Sequence, residues 1–175
     1  SLPALTGYYF YFCVKHRTAL DHNLLTKSFR ENGKFAIKEG NGLILTFLKP
    51  DLWRKEMGLD WVYLLFDLFQ IRSICEPYSE VSLDIVEFAS KPTIYQSPAN
   101  KLLANGPVVN GLVRFSVIRD PEWNKLLFQI SQPVILGIGK QTTAEIATEK
   151  YFPLLAPSTK ELFLGPEGEV KIIKG

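Results

Sequence analysis

LVRFSVIRDPEWNKLLFQISQPVILGI, residues 112–138, sets two strand-like runs on either side of one helix-like stretch. Leu112–Ile118 alternates apolar and polar residues well enough for a strand. Asp120-Pro121-Glu122 then opens a helix, because aspartate accepts the orphan N–H groups of a first turn and proline at the first helical position gives up no bond. Within Pro121–Ile130 the residues Trp123, Leu126, Leu127 and Ile130 share one helical stripe and form the expected buried face. Pro133–Ile138 is a second β-branched run. Strand, helix and strand in immediate succession call for a sheet with a helix laid against it, and hence for an α/β (or α+β) fold.

Reading outward, Gly7–Lys15 (GYYFYFCVK) is an aromatic, β-branched strand candidate. Thr18–Asn32 carries Leu20, Leu24, Leu25 and Phe29 at helical spacing and stops at Gly33, the residue a left-handed C-cap requires. Phe35–Ile37 and Leu43–Leu48 flank the turn Glu39-Gly40-Asn41-Gly42, a hairpin signal that Pro50 terminates. Asp60–Asp67 reads as a buried strand, Ser79–Phe88 as a helix capped by Ser79, and Thr93–Gln96 as a strand. Ser97–Gly111 is rich in Pro, Gly and Asn and reads as irregular surface, with one helical turn at Lys101–Ala104. Thr142 and Glu145 have capping-box spacing for a helix to Lys150, and Glu169–Ile173 forms a last strand after the Gly165–Gly168 turn. The expected architecture is one twisted mixed β-sheet flanked by helices. A single domain over 1–175 is expected, with residues 1–40 as its N-terminal strand-helix element.

At 175 residues, 46% hydrophobic and 22% charged, the chain has apolar surface enough to offset the entropy of ordering, which excludes wholesale disorder. A net charge of +2 is too small for a nucleic-acid coat or a polybasic membrane anchor. No apolar run reaches the ~18 residues of a membrane span, and no secretory leader pattern opens the chain, so a cytoplasmic protein with no membrane partner is expected. Cys13, Cys75, His16 and His22 are too few for a disulfide framework or a structural metal, and both cysteines read as core.

Chemistry is most concentrated in PVILGIGKQTTAEI, residues 133–146: strand, Gly-x-Gly-Lys turn, capped helix. Backbone N–H groups at such a helix start favour an anion, so Lys140, Thr142 and Thr143 are candidates for holding a phosphate or carboxylate. Val134 occupies the place of the first P-loop glycine and Gln141 that of its Ser or Thr, so this is no triphosphate loop. The same glycines would also serve a tight strand-to-helix turn with no ligand at all. Lys15-His16-Arg17 with His22 forms a basic rim that reads either as phosphate-contacting or as solvated surface. No serine lies in a Gly-x-Ser-x-Gly elbow, so a hydrolase triad has no support.

From about Trp61 onward the order of features resembles the YrdC-like family of threonylcarbamoyl-AMP synthases. The stretches concerned are VYLLFD (62–67), EVSLDIVEFASKPTIY (80–95), VRFSVIRDPEWNKLLFQISQPVI (113–135) and APSTKELFLGPEGEVKIIKG (156–175). That family joins threonine, bicarbonate and ATP, with magnesium, for the modification of tRNA adenosine. The resemblance therefore implies ATP and magnesium as cofactors, a nucleotide or tRNA as partner, and a twisted α/β sheet around a basic concave pocket. It aligns Ser158 and Thr159 with the family's Pro-Ser-Thr segment, and Lys174 with the arginine that ends its last strand. Together with Lys140, Thr142 and Thr143 of the turn, these residues make up the expected nucleotide-binding set: Lys140, Thr142, Thr143, Ser158, Thr159 and Lys174. The family's Pro-Thr-Asp-Thr strand has only LTFLKPDLW (45–53) as counterpart, its Lys-x-Arg motif only Arg54-Lys55, and its Ser-x-Asn motif is replaced by Gly137–Lys140. A chain without those donors can bind a nucleotide or RNA without turning it over.

Two further readings compete. One is a non-catalytic module that offers the 97–111 segment or an aromatic surface to a protein partner, leaving an exposed apolar patch. The other is a ferredoxin-like RNA-processing protein of the CRISPR type, with His16 or His22 as general acid-base.

Overall fold

Asp21 opens α1 (His22–Asn32), the first helix of the described residues, by accepting the Leu24 N–H at 3.0 Å, and Gly33 closes it in the left-handed region at φ 74°. The computed structural model describes residues 20–155 and 159–175, so the Gly7–Lys15 strand candidate, Cys13, His16 and Ser158 lie outside the described residues. Next come the hairpin strands β1 (Lys34–Lys38) and β2 (Ile44–Leu48), then β3 (Val62–Leu65), the short α2 (Ile71–Ile74) and α3 (Glu80–Glu87). Ser79 caps α3 by accepting the Ser82 N–H. The chain continues through β4 (Thr93–Pro98), β5 (Leu112–Val117) and α4 (Pro121–Ile130), whose Asp120 accepts from the Glu122 and Trp123 N–H groups. It closes with β6 (Val134–Ile138), the two-residue β7 (Ile146–Ala147), β8 (Lys160–Leu164) and β9 (Val170–Lys174).

The nine strands of the described residues join one mixed sheet in the order β7-β1-β2-β6-β3-β5-β4-β8-β9. Three neighbours are parallel, β1 with β7, β3 with β5 and β4 with β8, and the remainder are antiparallel. Such a sheet excludes the ferredoxin-like reading, whose β-α-β-β-α-β unit has four strands. His22, the general acid-base of that reading, instead sits against the start of α4, with Nε2 3.0 Å from the Glu122 carbonyl oxygen.

Strand alternation divides the core in two. Val62 and Leu64 of β3 join Phe35, Phe47, Val134 and Leu136 under α1 and α4, while Tyr63 and Leu65 join Ile135, Val113, Phe115 and Tyr95 under α2 and α3. Because both faces of the central strands are covered, VYLL and VILG read as continuous apolar runs. On β5, β4, β8 and β9 the face shared with the first core mixes Ile94 and Phe163 with polar residues: Arg114 and Ser116, Gln96, Glu161, and then Lys171 and Lys174 opposite Phe163 and Glu161.

Two local expectations fail. Residues Thr142–Lys150 form no helix; the segment runs along β1, with Glu145 N–H donating to the Ala36 carbonyl at 3.0 Å and Thr148 N–H to that of Lys38 at 2.9 Å. Glu145, read as a capping-box partner, spends its carboxylate on the Ala36 N–H at 2.6 Å. The open edge of β1 offers ladder bonds that outweigh the modest helix propensity of a Thr- and Ile-bearing stretch. Lys101–Ala104 likewise holds only a turn, closed by Leu103 N–H on the Asn100 carbonyl at 3.0 Å.

Candidate functional site

A cavity of about 590 Å³ opens where the N-terminal end of β4 meets the C-terminal end of β5. That is within the usual range for ligand sites, roughly 300–1,000 Å³. Ser90–Thr93 with Tyr95 and Ser116–Asp120 supply the strand-end walls; Tyr151–Leu154 forms the opposite wall, and Asn41 reaches in from the β1–β2 tip. Apolar and aromatic side chains, among them Val86, Ile118, Phe152 and Leu154, give it a body that can accept a flat ring.

Charge in the lining is unbalanced. Asp120, the one carboxylate there among the described residues, accepts the N–H groups of its helix cap at Oδ1 and stands 3.3 Å from Lys150 Nζ. Lys91 and Arg119 have no carboxylate partner within ion-pair distance among the described residues. Arg119 is steadied by donating Nη2 to the Val86 carbonyl at 2.6 Å, at the last turn of α3, where a cation is favoured. The Ser116 hydroxyl donates to the Thr93 carbonyl at 2.6 Å and keeps its acceptor capacity. Burial pushes the Tyr95 phenol above its ordinary value, so at neutral pH it remains a donor.

None of Lys140, Thr142, Thr143, Thr159 and Lys174 lines this cavity. Thr159 comes nearest, donating its hydroxyl to the carbonyl of Pro153, a wall residue, at 3.4 Å. Thr142 and Thr143 are exposed, and with no helix after them there is no helix N-terminus to hold an anion. Lys140 reaches Asp60 Oδ1 at 2.7 Å, Arg114 Nη2 reaches Glu161 Oε1 at 2.6 Å, and Lys174 stands opposite Glu161 on β9. Lys140 and Lys174 therefore end a row of alternating charge, beside a second hollow of about 530 Å³ lined by Asp60, Gln96 and Arg114 among others. Asn41, Lys91, Arg119 and Tyr151 are cavity residues that the sequence reading missed; the available signal was polar residues abutting strand ends, as in Lys91-Pro92-Thr93 and Arg119-Asp120.

The Lys140 hydrogen bond outweighs partial burial and, with Arg114 further off, holds the Asp60 carboxyl below its ordinary value. A lowered carboxyl contributes stability that is present above about pH 4 and lost as pH falls through the lowered value. Lys140→Ala should thus destabilise at pH 7 by no more than ~1 kcal/mol, Asp60 being largely exposed. That difference should vanish near pH 2 in urea unfolding; a difference that persisted would assign Lys140 to packing against Gly137 and Trp61 instead.

Burial pushes the Cys75 thiol up to about 12, so it stays protonated and unreactive at neutral pH. Among the described residues no group of three or more His, Cys, Asp or Glu could hold a metal ion, and no helix is long and apolar enough to cross a membrane.

No family model matches the chain and no curated protein matches its sequence. Among solved structures, a doubly substituted Sua5 from P. abyssi superposes with a TM-score of 0.66 at 10% identity, over 90% of this chain and 57% of that one. Full-length HypF in its phosphate- and nucleotide-bound form gives 0.63 at 11%, over 89% of this chain and 29% of HypF. The solution structure of MTH1692 from Methanobacterium thermoautotrophicum gives 0.53 at 11%, over 90% and 87%. The fold is YrdC-like. The resemblance traced in the sequence from Trp61 onward is thus matched in the backbone. The chain spans just over half of Sua5 and under a third of HypF, and at this identity the likeness establishes the YrdC-like fold rather than a reaction.

Proposed function

We propose that the protein binds a nucleotide, free or at the end of an RNA, in the cavity between β4, β5 and the Tyr151–Leu154 wall. The observation that carries this reading is the combination of Lys91 and Arg119, two cations without carboxylate partners among the described residues, with an aromatic and apolar body of ligand size. In this reading the cations neutralise phosphate, Asn41 and Ser116 orient polar edges, and the exposed Tyr151 offers a ring face. The YrdC-like fold, shared with a HypF structure in nucleotide-bound form, supports it. ATP is the preferred ligand, and a role beside threonylcarbamoyladenosine formation in tRNA, in the cytoplasm, is the finer form of the proposal.

Among the described residues the cavity lining offers magnesium a single carboxylate, Asp120, whose Oδ1 takes the helix-cap N–H groups and Lys150 and leaves Oδ2. A magnesium ion would be held there by Asp120 together with phosphate oxygens of the ligand. No step is assigned to it.

Calorimetric titration with ATP and with AMP, each with and without magnesium, tests the proposal. Saturable binding that weakens several-fold between low and ~0.3 M salt is expected, since exposed cations are screened. Absence of heat with both nucleotides would remove the nucleotide reading. The interaction-module reading would then lead, favoured by Leu102, 89% exposed in the 97–111 segment.

A further inference from the structure

Glu39 is 2% exposed, yet its carboxylate has no cationic partner among the described residues. Burying a carboxylate is unfavourable unless hydrogen bonds satisfy it. Here two backbone donors do so: Asn41 N–H on Oε1 and Phe152 N–H on Oε2, each at 3.0 Å. The two donors belong to segments far apart in sequence, and both residues line the cavity. A packing role alone would be met by an apolar side chain; two acceptor oxygens are needed to hold two separate N–H groups.

Neighbouring contacts show how closely the two segments meet. A Cβ on Gly40 would lie 2.7 Å from the Glu149 carbonyl oxygen and 3.2 Å from the Tyr151 ring, so this position has no room for a side chain. Phe152 is seated on Trp123, with ring centroids 4.9 Å apart. The wall is thus fixed to α4 by its aromatic side chain and to the β1–β2 tip by its N–H.

We propose that Glu39 is a positioning residue of the cavity: its carboxylate clamps the β1–β2 tip to the Tyr151–Leu154 wall and so sets the distance between Asn41 and that wall. The binding consequence rests on the nucleotide reading above; the clamp itself does not.

The test compares wild type, Glu39→Gln and Glu39→Ala as 15N-labelled proteins, by amide exchange and by ATP titration. Glutamine keeps one acceptor oxygen, so one of the two amides, Asn41 or Phe152, should retain protection. With alanine both should exchange at least tenfold faster while amides of β3 and β5 keep wild-type rates. ATP affinity should fall about tenfold in the alanine variant and partly recover in the glutamine variant. Unchanged exchange at both amides, uniformly faster exchange, or local opening with full ATP affinity would each overturn the proposal. Should wild type take no ATP, the nucleotide reading falls alone, and exchange still decides the clamp: local loss upholds it, uniform or no loss removes it. If the alanine variant does not fold, the glutamine variant carries the same comparison.

Discussion

Trp123→Ala is expected to lower the free energy of unfolding by about 3–5 kcal/mol, the range for removing a large aromatic from a closed core. That is a large share of the 5–15 kcal/mol typical of a whole domain. Trp123 is 1% exposed on the inner face of α4, and its ring stacks on Phe47 with 9° between planes and meets Phe152 edge-on at 80°. Its indole N–H also donates to the Tyr151 carbonyl at 3.4 Å, so truncation loosens both the core under α4 and the cavity wall. Trp123→Phe keeps most of the ring contacts and should cost less than half as much. Urea unfolding measures both: the midpoint should fall with the slope preserved. A loss below ~1.5 kcal/mol for alanine would mean that α4 does not seal this core.

The helix that Trp123 anchors was legible residue by residue because its signals are local. Asp120 as cap, Pro121 at the first position and four apolar residues at helical spacing all lie within its own length, and the helix runs from Pro121 to Ile130 as the sequence indicates. The hairpin of β1 and β2 was legible for the same reason. The Asp60–Asp67 run was read too long because its bounding charges have other work: Asp60 pairs with Lys140, and Asp67 accepts the Gln70 N–H to cap the next turn. Thr142–Lys150 shows the limit of such reasoning. Its capping signal was present, but an unpaired strand edge more than a hundred positions earlier decided its conformation, and no local pattern encodes that edge.

The site was less legible than the fold. Its residues come from the β1–β2 tip, the start of β4, the end of β5 and the wall after β7, and only the sheet order brings them together. The Gly-x-Gly-Lys turn drew attention because glycines beside a lysine suggest an anion, yet Gly137 serves close packing. A Cβ there would lie 2.8 Å from both the Trp61 ring and the Lys140 side chain. Its lysine, moreover, is already neutralised by Asp60.

ATP affinity should fall about a hundredfold in the double variant Lys91→Ala, Arg119→Ala, and by about tenfold in each single variant. Two decades correspond to roughly 2.7 kcal/mol, a reasonable sum for two charge-assisted contacts to phosphate in a partly enclosed site. Arg119→Lys should not restore its share fully: the guanidinium can hold the Val86 carbonyl with one arm and present further N–H groups to the ligand, whereas an ammonium is a single point charge. The double variant Lys140→Ala, Lys174→Ala is the informative control, because neither residue lines the cavity. It should bind ATP within about twofold of wild type, since exposed charges at a distance are largely screened at physiological salt. The reverse pattern, affinity lost with Lys140 and Lys174 but kept without Lys91 and Arg119, would move the nucleotide to the Asp60–Arg114–Glu161 row and its 530 Å³ hollow. Stability must be read alongside, because Arg119→Ala also removes one donor from the Val86 carbonyl, which keeps the Ala89 N–H at 3.4 Å; Arg119 is exposed, so water can replace the lost bond and the unfolding midpoint should move little. A large shift in the midpoint with the affinity loss would assign Arg119 to holding α3 rather than to the ligand.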